Sequence, residues 1–512
     1  MSITAKSLNE RYASISTDNS YKLPLLKSTV PLGEGQVEVT EEQVFEMLDC
    51  LRPTASGLDN LPSWFLRLAA PIFAAPIATL FSMSLASSYV PRQWKQAAIH
   101  PIPKIACPLS PVDFRPISIT PILCRIIERI VVRDYIYPSF LRSATDINDD
   151  NNFNISDQFA FRPSGSTTAA LVFLLQTISD MLATNKYVIV YAIDFSKAFD
   201  SVRHYTLLGK YADLRLPDFV FNWLNAFFCN HSHCTRFAGR VSDIQEITAS
   251  IVQGSAVGPP SYVVLASDLH PVHPSNAIAK YADDTYLIIP ASNHSTCQAE
   301  IKHIEEWATT NNLKLNRSKS HEMVFIKPKT SRQVFIPPPE VEGFSRVQQL
   351  TILGVTISYN LSVNEHIDRT LAGCARLLYG LKTLRAHGMM PQALNTVFQC
   401  TVLAKLTYAT PAWWGFTSAS DRNRLEAFLR RMKKFGYYPK QSPTFASLCD
   451  QADERFFFKV RYNNTHPLHS LLPPKVIKTY KTRPRGHPFQ LPTKTNTLDE
   501  CNFLCRMLYK CI

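Results

Sequence analysis

Two adjacent acids, Asp283 and Asp284, stand in the run Lys280-Tyr281-Ala282-Asp283-Asp284-Thr285-Tyr286-Leu287-Ile288-Ile289. Apolar stretches flank them, residues 277–279 before and 286–289 after, and this pattern predicts a β-hairpin with both acids at its tip. At ~4 Å two carboxylates repel by about 4 kcal/mol at a moderate effective dielectric. Folding alone gives no reason for that placement. Divalent cations turn the repulsion into attraction, and hard cations such as Mg²⁺ share oxygen ligands with substrate phosphates. A third acid is available in Tyr187-Val-Ile-Val-Tyr-Ala-Ile-Asp194-Phe-Ser-Lys-Ala-Phe-Asp200. Asp194, Asp283 and Asp284 together suffice to clamp two metals ~3.5–4 Å apart, one activating a 3′-hydroxyl and one stabilising a leaving pyrophosphate. The chemistry these residues predict is metal-dependent phosphoryl transfer.

The elements that must carry the acids are legible around them. Residues 187–193 are almost wholly apolar and β-branched, as in a strand buried on both faces, and Asp194 follows at its end. Residues 166–184 and 297–310 have helical apolar spacing; in the second, Ile301, Ile304, Trp307 and Ala308 share a face. Thr40 and Gln43 have the spacing of a capping box ahead of Val44, Met47 and Leu48. Residues 1–35 are polar and are expected to be poorly ordered. Residues 68–90 carry no charge over 23 positions, long enough to span a bilayer. Pro71, Pro76 and four serines make them only modestly apolar, and a buried helical layer is the expectation. Beyond residue 358, Ile367, Leu371, Leu378, Leu381, Leu394, Phe398 and Val402 recur at helical spacing. The region closes on the basic run Arg430-Arg431-Met432-Lys433-Lys434, expected to contact nucleic acid. Residues 441–512 are rich in Pro and Arg, and Pro473-Pro474, Pro484 and Pro488–Pro492 predict extended segments along the surface.

A length of 512 residues allows about three domains. The net charge of +13 implies an anionic partner. From residue 455 onward there are eleven Lys and Arg against two acids, so +9 of the +13 falls in the last 58 residues. The twelve cysteines are scattered and residues 1–17 have no apolar core, so the thiols are read as reduced and intracellular. Cys229, His231, His233 and Cys234 lie too close in sequence for a tetrahedral zinc site, and Cys501, Cys505 and Cys511 lack a fourth ligand.

Seven short boxes in order give a family resemblance. Tyr281-Ala282-Asp283-Asp284 resembles the signature box of reverse transcriptases. Residues 192–200 resemble the first catalytic box, and Gln253-Gly254-Ser255 with Gly258-Pro259 resembles the box that holds template and incoming nucleotide. Asp113-Phe114-Arg115-Pro116-Ile117-Ser118 resembles the fingers motif, and Gln158-Phe159-Ala160-Phe161-Arg162 resembles the box between fingers and palm, with Ala160 where the family usually carries Gly. Leu315-Asn316 with Lys319 resembles the box after the catalytic hairpin, and Leu353-Gly354-Val355 the primer-grip region. Trp94-Lys95, Arg125–Arg129 and residues 408–416 give the chain the texture of a non-LTR retrotransposon reverse transcriptase.

The resemblance implies an α+β right-hand polymerase: an extension over residues 1–83, fingers and palm over 84–358, a helical thumb over 359–440 and a basic tail over 441–512. It implies RNA-directed DNA synthesis from an RNA template, a DNA primer and deoxynucleotides, with two Mg²⁺ ions or Mn²⁺ in their place. Asp194, Asp283 and Asp284 are the implied metal ligands, and the carbonyl of Phe195 adds a further one. Phe199 takes the slot of the ring that excludes a ribose 2′-hydroxyl. Arg115 and Lys104 match positions that hold the triphosphate, Arg by forking onto oxygens and Lys as a point charge. Gln253 contacts nucleotide or template, Gly254 allows close backbone approach, and Lys319 is placed to protonate pyrophosphate. Asp200 is expected to cap the following helix. The polymerase is expected to be target-primed, part of a longer element protein, nuclear with a cytoplasmic ribonucleoprotein stage, and not membrane-bound. Two rivals remain: a silent nucleic-acid-binding remnant, and an RNA-dependent RNA polymerase, against which Phe199 speaks.

Overall fold

The computed structural model describes residues 3–23, 25–27, 37–143, 153–327, 336–476, 486–494 and 497–510. It is a mixed α/β protein whose chain divides into two compact units, each assembled from separated stretches. One comprises Met1–Ser156, Phe195–Leu269 and Lys302–Leu315, the other Asp157–Asp194, His270–Ile301 and Asn316–Ile512.

The first unit is built on a sheet whose strand Gln96–Pro103 pairs antiparallel with Phe114–Ile119 and parallel with His231–Phe237. The segments Arg240–Val241 and Gln245–Ile247 both pair with His231–Phe237. Contrary to expectation, part of residues 1–35 is regular structure. Ala5–Ile15 is a helix whose Thr4 and Ser7 form a reciprocal capping box. Ala5, Leu8, Asn9 and Tyr12 are buried, on one face at helical spacing. The polar composition hid this because Asn9 is a buried structural residue: its Oδ1 accepts from Thr235 and meets His233 Nδ1 at 2.8 Å, and its amide donates to the Asp243 carbonyl. His233 is thus a core residue of the sheet.

Glu41–Asp49 is the helix expected after Thr40, whose hydroxyl accepts from Gln43 N–H. Ala70–Ala86 is also a helix and contains an internal proline, Pro76. It is not the wholly buried layer expected. Phe81 and Leu85 are buried, but Ile72 and Met83 face solvent. With no charge on either side of the helix, sequence could not separate the two faces.

The second unit is organised on a five-stranded sheet in the order Ser345–Arg346, His321–Ile326, Tyr187–Ile193, Asp284–Pro290, Ala277–Tyr281. Tyr187–Ile193 is central and antiparallel to both neighbours. That position explains its β-branched composition: Val188, Ile189, Val190 and Tyr191 are fully buried. Thr167–Thr184 starts on Ser166, which caps Ala169 N–H, and packs on the sheet with Leu171, Leu175 and Ile178 in the core. It is the one described helix long and apolar enough to cross a membrane, and half of it is buried inside the protein. The hairpin Gln349–Ile352 and Val355–Ser358 turns on Leu353 and Gly354, both at positive φ.

Helices then dominate: Asn364–Ala386, Pro391–Phe398, Ala419–Lys434 and Phe445–Tyr462. The last of these replaces extended chain at the start of the Pro-rich tail. Thr444 caps it, and Phe445, Cys449, Phe457 and Val460 form a buried stripe. The prolines act further on, where Lys475 and Phe489 form an antiparallel bridge. Pro484, Lys478, Lys481, Arg483, Arg485 and Cys511 lie outside the described residues.

Candidate active site

Asp194, Asp283 and Asp284 all belong to the second unit. Tyr281 pairs with Asp284, so Ala282 and Asp283 form the two-residue turn and Asp284 opens the returning strand. Ala282 takes φ +56°, as tight hairpin turns require. The register across the central strand pairs Ile193 with Thr285. Asp194 directly follows that last pair and Asp284 directly precedes Thr285, so both acids lie at the same end of the sheet. The sheet register is therefore what brings the first acid to the other two.

The acids sense one another. Burial raises the Asp283 carboxyl above its ordinary value, and Asp194 pushes it further up. Asp284 is raised to about 6, by desolvation and then by the charges of Asp283 and Asp194. Its side chain is exposed at the turn, so water screens part of this repulsion. Among the described residues no basic side chain is a main cause of either shift. Among the described residues no three His, Cys, Asp or Glu side chains are drawn into a preformed metal cage. Mutually repelling acids without a cation fit a hard metal that arrives with substrate phosphates and waters and needs only one or two protein carboxylates.

Asp194 is held on three sides. Its N–H donates to Ser320 Oγ at 3.1 Å, its carbonyl accepts from Asn316 N–H at 2.8 Å, and its Oδ2 accepts from Asn316 Nδ2 at 2.9 Å. Asn316 lies in the box that also carries Lys319. Asn316 orients the acid, whereas Lys319 is exposed, with its N–H bonded to the Asn316 carbonyl. Sequence alone gave Asn316 no role; its signal was a side-chain amide at a fixed position in a recognised box.

The hairpin is anchored from beneath by a buried ion pair that sequence reasoning missed. Lys280 is 1% exposed, and its Nζ lies 2.9 Å from Asp157 Oδ1. Asp157 Oδ2 is 2.9 Å from His270 Nδ1. The backbones also interlock: Lys280 N–H donates to the Asp157 carbonyl at 2.7 Å and Phe159 N–H to the Lys280 carbonyl at 2.8 Å. Gln158 Oε1 accepts from Phe159, Ala160 and Ala282 N–H groups. The box at residues 158–162 thus holds the turn that carries Asp283. Ala160, where the family usually carries Gly, is buried without positive φ; the left-handed residue is Phe161, at φ +53°.

Lys104, Arg115, Phe195, Phe199, Gln253 and Gly254 belong to the first unit. Lys104 and Arg115 meet at one antiparallel hairpin. Arg115 pairs with Ile102, Lys104 N–H donates to the Asp113 carbonyl at 2.7 Å, and Lys104 Nζ donates to the Val112 carbonyl at 2.9 Å. Arg115 is exposed. Phe195 is buried, paired with Leu315 and packed against Trp307. Phe199 is half-buried, its ring stacked on buried Tyr262 with centroids 4.8 Å apart.

Gln253 is fixed at both ends. Its carbonyl accepts from Ser118 N–H at 3.1 Å and its Nε2 donates to Asp200 Oδ1 at 3.0 Å. Asp200 does not cap a helix, because the next one, His204–Ala212, begins beyond reach on Arg203. Instead it orients Gln253, and burial raises its carboxyl to about 6. Gly254 has φ +111°, and a Cβ there would sit 2.4 Å from the Ser118 carbonyl oxygen. Ser255, Ala256 N–H (2.6 Å) and Val257 N–H (3.2 Å) all donate to Oε2 of the fully buried Glu128. That carboxylate closes the start of helix Gly258–Leu265 and shapes the loop bearing Gln253.

The family profile described as reverse transcriptase (RNA-dependent DNA polymerase) matches residues 102–357, half of the chain. A probable RNA-directed DNA polymerase from transposon BS of Drosophila melanogaster is 26% identical over 478 residues, 86% of this chain and 51% of that protein. The RNA-directed DNA polymerase from mobile element jockey of the same fly is 28% identical over 345 residues, 64% of this chain and 36% of that protein. A putative 115 kDa protein in the type-1 retrotransposable element R1DM is 23% identical, over 80% of this chain and 40% of its own length. The chain spans about half the length, or less, of these curated relatives. By the extent of the profile match and the mobile-element origin of its relatives, this chain belongs to the reverse transcriptase family, of the non-LTR retrotransposon kind.

Proposed function

We propose that the chain is the polymerase part of a non-LTR element protein, an RNA-directed DNA polymerase that adds deoxynucleotides to a primer 3′-end. The observation that carries the reading is the register that brings Asp194 to the same end of the sheet as the Asp283–Asp284 turn, where its charge raises the carboxyls of both turn acids. Two Mg²⁺ ions, or Mn²⁺, held by Asp194, Asp283 and Asp284, would supply charge neutralisation at the entering and leaving oxygens.

The remaining steps belong to side chains. Arg115 and Lys104 bind triphosphate oxygens, Arg115 from a strand of one hairpin and Lys104 from just past the end of its partner strand. Gln253, oriented by Asp200, contacts the nucleotide or template, and the absence of a Cβ at Gly254 lets backbone approach closely. Phe199, backed by Tyr262, is a rigid ring suited to exclude a 2′-hydroxyl. Lys319 donates a proton to pyrophosphate. In this reading the sheet of the second unit is the palm, the strands around residues 96–119 are fingers, and the helices after residue 364 form the thumb. RNA template, nicked DNA primer and a nuclear site of action follow as further parts of the proposal.

Primer extension on an RNA template with Mg²⁺ and deoxynucleotides tests it, beside Asp283→Ala/Asp284→Ala. Extension that vanishes in the variant is expected. No extension under Mg²⁺ or Mn²⁺, with RNA binding retained, would establish the silent remnant instead. Ribonucleotide preference in the unaltered protein would sink the deoxynucleotide assignment.

A further inference from the structure

Helix Phe445–Tyr462 has an acidic face that is paired and a basic, aromatic face that is exposed. Its acids are engaged by the helix Phe503–Lys510: Asp453 pairs with Arg506 at 2.7 Å, and Asp450 and Glu454 with Lys510 at 3.1 and 3.2 Å. On another face Arg455, Phe458, Lys459 and Tyr462 follow at i, i+3, i+4 and i+7 spacing, a continuous stripe along the helix. All four are exposed, and the two aromatic side chains are 62% and 60% exposed. No acid lies on this stripe. The rings sit together, with centroids 4.5 Å apart, and the Arg461 guanidinium lies over Tyr462 at 4.7 Å. A cavity of about 660 Å³ adjoins the stripe. Ser164 and Ser166 also line it; Ser164 Oγ accepts from Asn463 Nδ2 at 2.7 Å and Ser166 Oγ from Ala169 N–H, which leaves each hydroxyl its own proton to donate.

Water gains nothing from two adjacent exposed rings, and the core of the chain does not use them. Aromatic rings alternating with cations suit a strand that has both flat bases and phosphates. A duplex keeps its bases stacked and offers no face to Phe458 or Tyr462. A lipid surface would favour an unbroken apolar stripe with flanking charge, which this helix does not have. The hydroxyl-bearing wall adds groups that pair with ribose 2′-hydroxyls and base edges.

We propose that the Arg455-Phe458-Lys459-Tyr462 stripe and the adjoining cavity form a docking site for single-stranded RNA, separate from the residues assigned to chemistry. The proposal rests on the polymerase reading for its choice of RNA, and it describes a strand-holding surface for template beyond the reacting end.

The test is fluorescence anisotropy of the full chain with a short labelled oligouridylate, repeated over a range of salt. Phe458→Ala/Tyr462→Ala is expected to weaken binding by about tenfold or more with little change in salt slope, because stacking carries no charge. Arg455→Gln/Lys459→Gln is expected to flatten the log–log salt slope by about 1.4, roughly 0.7 for each single-strand phosphate that is no longer neutralised. Phe458→Trp/Tyr462→Trp keeps the stacking surface and is expected to retain affinity, which separates stacking from misfolding. Unaltered affinity and slope in both the alanine and the glutamine variants would overturn the site. So would failure of the tryptophan pair to bind while its circular dichroism is unchanged. Equal loss of duplex DNA binding would reduce it to a general electrostatic patch, and tighter binding of the matching deoxyoligonucleotide would overturn the assignment to RNA. Binding and extension are scored separately. Extension with unaffected RNA binding by the variants refutes only this site, and site-dependent RNA binding without extension refutes only the polymerase reading.

Discussion

Lys280→Met removes the cation beneath the Asp283–Asp284 hairpin while keeping the length of the side chain. The perturbation leaves Asp157, whose side chain is 11% exposed, with His270 hydrogen-bonded to it and the Arg162 guanidinium within reach of its charge. Removing one member of a buried pair costs about 3–5 kcal/mol, because the other charge stays desolvated. His270 still meets Asp157 Oδ2 at 2.9 Å, so the lower end, ~3 kcal/mol, applies. The effect should be local. Lys280 lies three residues before Asp283, and the hydrogen bonds of Asp157, Phe159 and Gln158 run directly to Lys280 and Ala282. Amide hydrogen exchange read peptide by peptide is therefore the assay, since it reports opening of a segment without assuming two-state unfolding of the whole chain. A loss of ~3 kcal/mol corresponds to roughly a hundredfold faster exchange across residues 277–290. Asp157→Asn/Lys280→Met removes both charges and should restore most of the protection, giving strong non-additivity. Exchange within about threefold of the parent in the single variant, or strictly additive effects in the pair, would refute the claim that this ion pair holds the hairpin.

Three further outcomes follow from the same geometry. Glu128→Ala strands the Ser255 hydroxyl and Ala256 N–H, while Val257 N–H keeps Ser255 Oγ at 3.1 Å; at ~1–3 kcal/mol per stranded group the urea midpoint should fall by the equivalent of about 2–6 kcal/mol, and an unchanged midpoint would contradict it. Gly254→Ala forces a Cβ against the Ser118 carbonyl at positive φ, a strain of order 1–3 kcal/mol; steady-state extension should show KM for deoxynucleotide raised about tenfold, and a KM within about twofold of the parent would show that the loop adapts. The Asp284 carboxyl, raised to about 6 from an ordinary value near 3.8, binds its proton more tightly in the folded chain, so its contribution to stability is present at low pH and is lost as pH rises through that window. Metal binding needs the ionised form, so extension should rise between about pH 5 and 7 with a midpoint that moves down as Mg²⁺ is raised; a midpoint indifferent to metal concentration would exclude this carboxyl as the titrating group.

Much of the site is written in local sequence. A β-branched run ending in Asp194, a hairpin tipped with Asp283 and Asp284, and a helix beginning after Ser166 each arise from neighbours within a few residues. Strand and turn patterns therefore place them correctly. The same local logic failed where burial is decided by distant partners. The polar segment at residues 5–15 looked unstructured, yet Asn9 is satisfied by Thr235, His233 and Asp243. Asp200 looked like a cap for the following helix, yet its partner is Gln253, 53 residues away. Lys280 reads as an ordinary polar residue in an edge strand, and only the parallel bridge to Gln158 shows that it is buried against Asp157. Sequence alone singled out the residues proposed to carry the chemistry, because side-chain type and local strand and turn pattern are both written in neighbouring residues. Tertiary structure decided which side chains hold them in place, because a buried charge or amide persists only where a remote part of the chain supplies its partner.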